Sequence, residues 1–192
     1  MAPTGRAAKV LSSYAEKSAL TIHKKIYFPK AVSGGVGVQF TLKENKHNHT
    51  VFIVDESSMI GDDRQQSKLF ENGSLLHDLV HYVTNGEKCK LIFVGDTAQL
   101  PPVNLGLSPA LDEDELAAQF NVAIYSITLE DVVRQEAESG ILFNATCIRE
   151  LLVSNQFDGF KFQLDGFKDI VRILEGNEFL ELLNNTLNQD GI

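Results

Sequence analysis

Nowhere in the 192 residues is there a Gly-x-x-x-x-Gly-Lys-[Ser/Thr] loop, the glycine-rich turn whose backbone N–H groups cradle phosphates. No apolar run approaches the ~20 residues that a membrane helix needs, so no membrane partner is expected. The opening MAPTGRAAKV lacks the apolar core of a secretory signal. There are only two cysteines, Cys89 and Cys147, and they have no metal-type spacing. That argues against a disulfide scaffold and suits the reducing cytoplasm. There is also no internal repeat and no low-complexity segment.

What is present suffices for one core, or for one domain and part of another, at 43% hydrophobic residues. The net charge of −9 disfavours nucleic acid at first sight, but the charge is unevenly spread. Residues 1–50 hold Arg6, Lys9, Lys17, Lys24, Lys25, Lys30, Lys43 and Lys46 against Glu16 and Glu44 alone. A basic face on that segment could meet phosphates locally, although uneven charge also occurs on ordinary solvated surfaces.

Periodicity predicts helices over about Arg6–Leu20, Arg64–Val83, Glu136–Leu152 and Asn177–Leu187. A further helix starts at Ser108-Pro109 and carries Leu111, Leu116 and Phe120. Strands are expected at Val38–Leu42, Val51–Val54, Leu91–Val94, Ile124–Leu129 and Ile170–Leu174, with a flexible loop over residues 32–37. Alternating strands and helices make an α/β layered sheet. A boundary is expected in the Gly/Phe-rich stretch Asn155–Lys168.

Two strand ends carry the chemistry. VFIVDESSM (Val51–Met59) and KLIFVGDTAQLPPV (Lys90–Val103) are apolar runs that stop at acidic residues, as buried parallel strands do at the carboxyl edge of a sheet. Of Asp55-Glu56, one carboxylate can hold Mg²⁺, and the other can orient and deprotonate a water. Asp96 takes the matching place on the second strand. Gln99 offers a neutral donor and acceptor for a phosphate or water, while Pro101 and Pro102 stiffen the chain leaving it. Other signals have ordinary explanations. His47-x-His49 reads as solvated rather than metal-binding. Asp112–Glu115 reads as an acidic first helical turn, and Phe157, Phe160, Phe162 and Phe167 as core.

With these residues in view, the chain resembles superfamily-1 DNA helicases of the RecD-like (exodeoxyribonuclease alpha-subunit) type. VFIVDESSM resembles motif II (Walker B) and VGDTAQLPPV motif III. APTGRAAKVLSS (Ala2–Ser13) resembles motif Ia, TIHKKIY (Thr21–Tyr27) the segment after it, and LEDVVRQ (Leu129–Gln135) motif IV. The resemblance covers residues 2–150. It implies ATP and Mg²⁺ as cofactors and single-stranded DNA as partner. Asp55 becomes the Mg²⁺ carboxylate, Asp96 a nucleotide-site residue and Glu56 the catalytic base, with Gln99 and Arg134 sensing the γ-phosphate. Thr4, Gly5, Arg6, His23, Pro101 and Pro102 become DNA contacts, although a histidine beside Ile22 and Ile26 is often simply packed.

The implied fold is an incomplete RecA-like (P-loop NTPase) parallel sheet with flanking helices. Residues 1–150 would form a partial first motor domain without its Walker A strand and loop. Residues 151–192 would begin the second domain or form a C-terminal extension. Without the Walker A strand, Leu91–Val94 and Ile124–Leu129 would flank an empty slot, and buried unpaired backbone groups there cost about 1–3 kcal/mol each. Those edges should therefore pair differently, be filled by another chain in a strand-mediated homo-oligomer, or stay exposed. The expected function is part of an ATP-dependent helicase moving along single-stranded DNA, with this chain alone inactive. The alternative is a non-catalytic DNA-binding or protein-interaction module derived from one.

Overall fold

A computed structural model describes residues 1–31, 38–62, 70, 73–129, 139–155 and 159–189. The chain divides into two compact units, Met1–Ile127 and Thr128–Ile192.

The first unit opens with an extended pair, Met1-Ala2. The Met1 nitrogen donates to the Ile53 carbonyl (2.6 Å), and Asp55 N–H donates to the Met1 carbonyl (2.9 Å). Helix α1 (Gly5–Ala15) follows, capped by the Thr4 hydroxyl, which accepts from Ala7 N–H. It stops earlier than the periodicity predicts because Glu16 turns left-handed (φ 50°). Ser12 Oγ then accepts from Ala19 N–H (2.8 Å) and holds the returning chain. A short helix α2 (Ile22–Ile26) runs directly into β1 (Tyr27–Ala31), a strand absent from the sequence reading. β1 pairs antiparallel with β2 (Val38–Leu42), in register from Tyr27–Leu42 to Ala31–Val38. The expected loop at residues 32–37 lies outside the described residues.

The chemistry-bearing sheet is a parallel pair. β3 (Val51–Val54) runs beside β4 (Lys90–Phe93), with Val54 opposite Phe93. Between them lies α3 (Leu75–Thr84), capped by Ser74 Oγ accepting from His77 N–H. The expected start of this helix at Arg64 lies outside the described residues. Leu76, Leu79, Val80 and Val83 recur at helical spacing on one face and are buried with Phe52 and Val54 of β3. Each such side chain contributes about 1.5–3 kcal/mol by leaving water. Asp78, on the same helix, is fully buried and accepts from Tyr27 Oη at 2.6 Å, so the core contains a satisfied carboxylate.

The other face of the pair is bare: Val51, Ile53, Ile92 and Val94 are all exposed. Ile124–Leu129 is not a strand. Ile124 packs against the core, but Tyr125, Ile127 and Leu129 project into solvent. Among the described residues β4 has β3 as its sole strand partner. A strand needs a neighbour for its backbone groups, and this apolar alternation has none among the described residues.

A 3₁₀ turn (Pro109–Leu111) and helix α4 (Glu113–Phe120) complete the unit. Asp112 caps α4, and Glu113, Asp114 and Glu115 sit in its first turn, where the helix dipole favours them.

The second unit holds α5 (Gly140–Ser154) and α6 (Gly176–Gln189). The expected first residues of α5, 136–138, lie outside the described residues. Ile170–Leu174, expected as a strand, carries no regular structure and finds no ladder partner among the described residues. Phe167 packs on Gly140 and Phe143, whereas Phe162 is exposed against the core expectation. No helix among the described residues is long and apolar enough to cross a membrane.

Candidate functional site

Parallel pairing of β3 and β4 brings their carboxyl ends to one edge. Asp55 follows Val54 directly, and Asp96 lies three residues beyond Phe93. Asp55 is half-buried, and its Oδ1 accepts from Glu56 N–H at 3.0 Å. Glu56 itself is left-handed (φ 56°, ψ 38°), a conformation that costs a non-glycine residue about 1–2 kcal/mol and persists only where neighbours enforce it.

The enforcement comes from the serines after it. Ser57 N–H donates to Val94 O (2.9 Å), and Ser57 Oγ donates to Val54 O (2.9 Å). A 3₁₀ turn (Ser57–Met59) then carries Ser58, whose Oγ donates to Gln99 Oε1 at 3.4 Å. DESS is thus tied at the backbone to Val94 and by a side chain to DTAQ. Gly95 makes the approach possible: a Cβ there would sit 2.9 Å from Leu111 Cδ1 and 3.0 Å from the Ser58 nitrogen.

Asp96 organises its own turn, with Oδ1 accepting from Ala98 N–H (2.9 Å) and its carbonyl from Gln99 N–H (3.1 Å). This presents the exposed Gln99 beside Ser58. Pro102 lies against Gly61, where an added Cβ would come 3.3 Å from Pro102 Cβ. Pro101 and Pro102 are both half-exposed, so the loops after the two strands meet a second time at this ring.

On the other side of β3, the Met1 carbonyl receives Asp55 N–H, and Thr4-Gly5-Arg6 begins α1 two residues beyond Ala2. Arg6 is exposed, there is no acidic residue in the first turn of α1, and the helix N-terminus favours anions. His23 is placed differently. Its ring lies 5.8, 5.4 and 6.2 Å from those of Tyr27, Phe40 and Phe70, and burial holds its pKa below the usual 6.5. Packing therefore occupies much of that side chain. Arg134 lies outside the described residues.

The oxygen donors at this edge are carboxylates, hydroxyls and an amide, a hard set suited to Mg²⁺. No cluster of three His, Cys, Asp or Glu that could hold a metal occurs among the described residues. A single carboxylate with bound waters is how Mg²⁺ usually sits when phosphates complete its shell, so the residues fit that ion and not a protein-only cage.

Sequence reasoning missed Ser108. It read Ser108-Pro109 only as a helix start. In the fold, Ser108 is buried, with Oγ 2.8 Å from Ser57 O and 2.6 Å from Ile60 O. A hydroxyl before proline gave no sign of so distant a partner.

Comparison with known proteins agrees with the sequence resemblance. Residues 1–105 match the AAA domain family. An ATP-dependent RecD2 DNA helicase from Deinococcus radiodurans is 33% identical over 147 residues, covering 73% of this chain and 16% of that protein. The chain thus spans about a sixth of the curated relative's length. The likeness to RecD-like helicases is borne out, and the AAA match brings with it the P-loop NTPase fold, of which the β3–β4 parallel pair is part. The chain belongs to the AAA domain family.

Proposed function

We propose that this chain is part of an ATP-dependent DNA helicase of the RecD-like exodeoxyribonuclease alpha-subunit type, one that couples ATP hydrolysis to movement along single-stranded DNA. The carrying observation is the parallel β3–β4 pairing, which sets Asp55-Glu56 and Asp96–Gln99 at one sheet edge, tied through Ser58 and Gln99. In this reading Asp55 takes Mg²⁺, which neutralises charge on the phosphates of ATP. Glu56 orients and deprotonates the attacking water, Gln99 hydrogen-bonds it or the γ-phosphate, and Asp96 holds the turn that presents Gln99. Arg134 contacts the phosphate in the assembled site. Thr4, Gly5, Arg6, Pro101 and Pro102 touch DNA, and His23 supports that surface.

These 192 residues contain no phosphate-cradling loop, so the chain by itself binds DNA without turning over ATP. The expected result is binding of a labelled single-stranded oligonucleotide, weakened by Arg6→Ala, with no DNA-stimulated hydrolysis. Turnover at ordinary helicase rates by this chain alone would contradict the inactive-segment reading. Absence of any oligonucleotide binding would contradict the DNA role. The bare face of Val51, Ile53, Ile92 and Val94, beside an edge of β4 that has no strand partner among the described residues, favours a second reading as a non-catalytic interaction module. A strand-mediated homo-oligomer seen by sedimentation, without DNA binding, would support that reading.

A further inference from the structure

We propose that Ser108 is a positioning residue for Glu56, holding the catalytic carboxylate's backbone through the turn that follows it. The inference rests on the reading of the Asp55-Glu56 edge given above and adds a residue some fifty positions away in sequence.

The geometry is a clamp with two jaws. One jaw is β4: Val94 O accepts Ser57 N–H, fixing the turn immediately after Glu56. The other is the Ser108 hydroxyl, 2.8 Å from Ser57 O and 2.6 Å from Ile60 O. Its single proton serves one carbonyl at a time, and when it goes to Ile60 O, Ser57 O keeps the Ile60 N–H. Ser57 O also accepts Ile60 N–H (3.1 Å), and Glu56 O accepts Met59 N–H (3.1 Å). Ser108 is itself fixed, because Oγ accepts Ala110 N–H (3.3 Å) and Pro109 sets the following backbone. Leu111, from the same 3₁₀ turn, sits where a side chain at Gly95 would go, its Cδ1 2.9 Å from an added Cβ. One short segment therefore braces both strand ends.

Glu56 needs such a brace. Its left-handed backbone is unfavourable for glutamate, and nothing in its own side chain caps the turn. Without the Ser108 hydroxyl, Ile60 O loses that donor and Ser57 O is left with Ile60 N–H, so the turn can unwind and Glu56 can relax to an ordinary conformation, which breaks its N–H bond to Asp55 Oδ1.

The test uses the 192-residue chain and nuclear magnetic resonance. In Ser108→Ala, the Ser57 amide should exchange about tenfold faster, the size expected when one buried hydrogen bond is lost. Line broadening of the Asp55 and Glu56 amides by Mn²⁺, standing in for Mg²⁺, should require several-fold more ion. Protection of Leu79 and Val83 in the core should not change. Ser108→Thr, which keeps the hydroxyl, should behave like the parent. Unchanged Ser57 exchange and unchanged Mn²⁺ response in Ser108→Ala would overturn the inference, as would an equal loss of core protection. Failure of the parent chain to show any Mn²⁺ broadening at Asp55 would instead overturn the reading of the acid edge, and the inference with it.

Discussion

The two units are built on different principles. Met1–Ile127 has a buried cluster drawn from α2, β1, β3 and α3, in which Ile22, Ile26, Val54, Leu76 and Leu79 are removed from water. In Thr128–Ile192 only Gly140 and Asn144 are buried among the described residues. Polar devices order that unit. Asp169 accepts from Ser139 Oγ (2.6 Å), Gly140 N–H (2.8 Å) and Ile141 N–H (3.2 Å) at the start of α5. Asn144 pairs with both backbone groups of Gln163. α6 is an amphipathic helix whose apolar residues Phe179, Leu180, Leu182, Leu183 and Leu187 all remain exposed. Caps and short-range hydrogen bonds suffice to shape a helix, but stability comes from burying its apolar stripe. Among the described residues, the first unit has done so and the second has not.

The largest expected effect separates them directly. Leu79→Ala should destabilise the first unit by about 2–5 kcal/mol in denaturant unfolding. Leu183→Ala, on α6, should move nothing by more than about 0.5 kcal/mol. Equal effects would erase the distinction. Next, Gly140→Ala should loosen the second unit by about 1–3 kcal/mol while leaving the first unit's amide protection intact. Its Cβ would come 2.3 Å from Phe167 Cγ and 2.6 Å from Phe167 Cβ, too close for the ring to escape by rotating.

The smallest effects are in pH. His23 has a folded pKa lowered by burial, so the unfolded chain takes up a proton first. Stability of the first unit should therefore fall as pH drops below the ordinary value of 6.5 and level off below the folded pKa, a dependence reduced in His23→Gln. Asp169 has its pKa lowered by Ser139 Oγ–H and then by Gly140 N–H, against a small opposing effect of burial. Its contribution is complete above the ordinary 3.8 and is lost as pH falls through the folded value. Amide exchange along α5 during acid titration should show that later loss, absent in Asp169→Asn.

The sequence made the two strand ends legible because each couples an apolar run to an acid, and both features are local. It also marked the acidic turn at Asp112–Glu115, since a first helical turn spans only three or four residues, whereas the Ser74 cap went unread inside an expected longer helix. What it hid was non-local. β1 is the exception: its partner β2 is near in sequence, but β1 follows α2 without a break, so nothing local marks where helix gives way to strand. Ile124–Leu129 and Ile170–Leu174 have strand-like residues but no strand to pair with among the described residues. Asp78 sits in a helix pattern that gives no hint of Tyr27 as its partner, and Ser108 gives none of Ser57.

The central claim is that Asp55-Glu56 and Asp96–Gln99 form one oxygen-rich, cation-accepting edge. Mn²⁺ titration of the isotopically labelled chain tests it residue by residue. The amides of Asp55–Ser58 and Asp96–Gln99 should broaden together at the same ion concentration, and Asp55→Asn should abolish both. Broadening centred on Asp112–Glu115, or broadening at the two strand ends that survives Asp55→Asn, would contradict it.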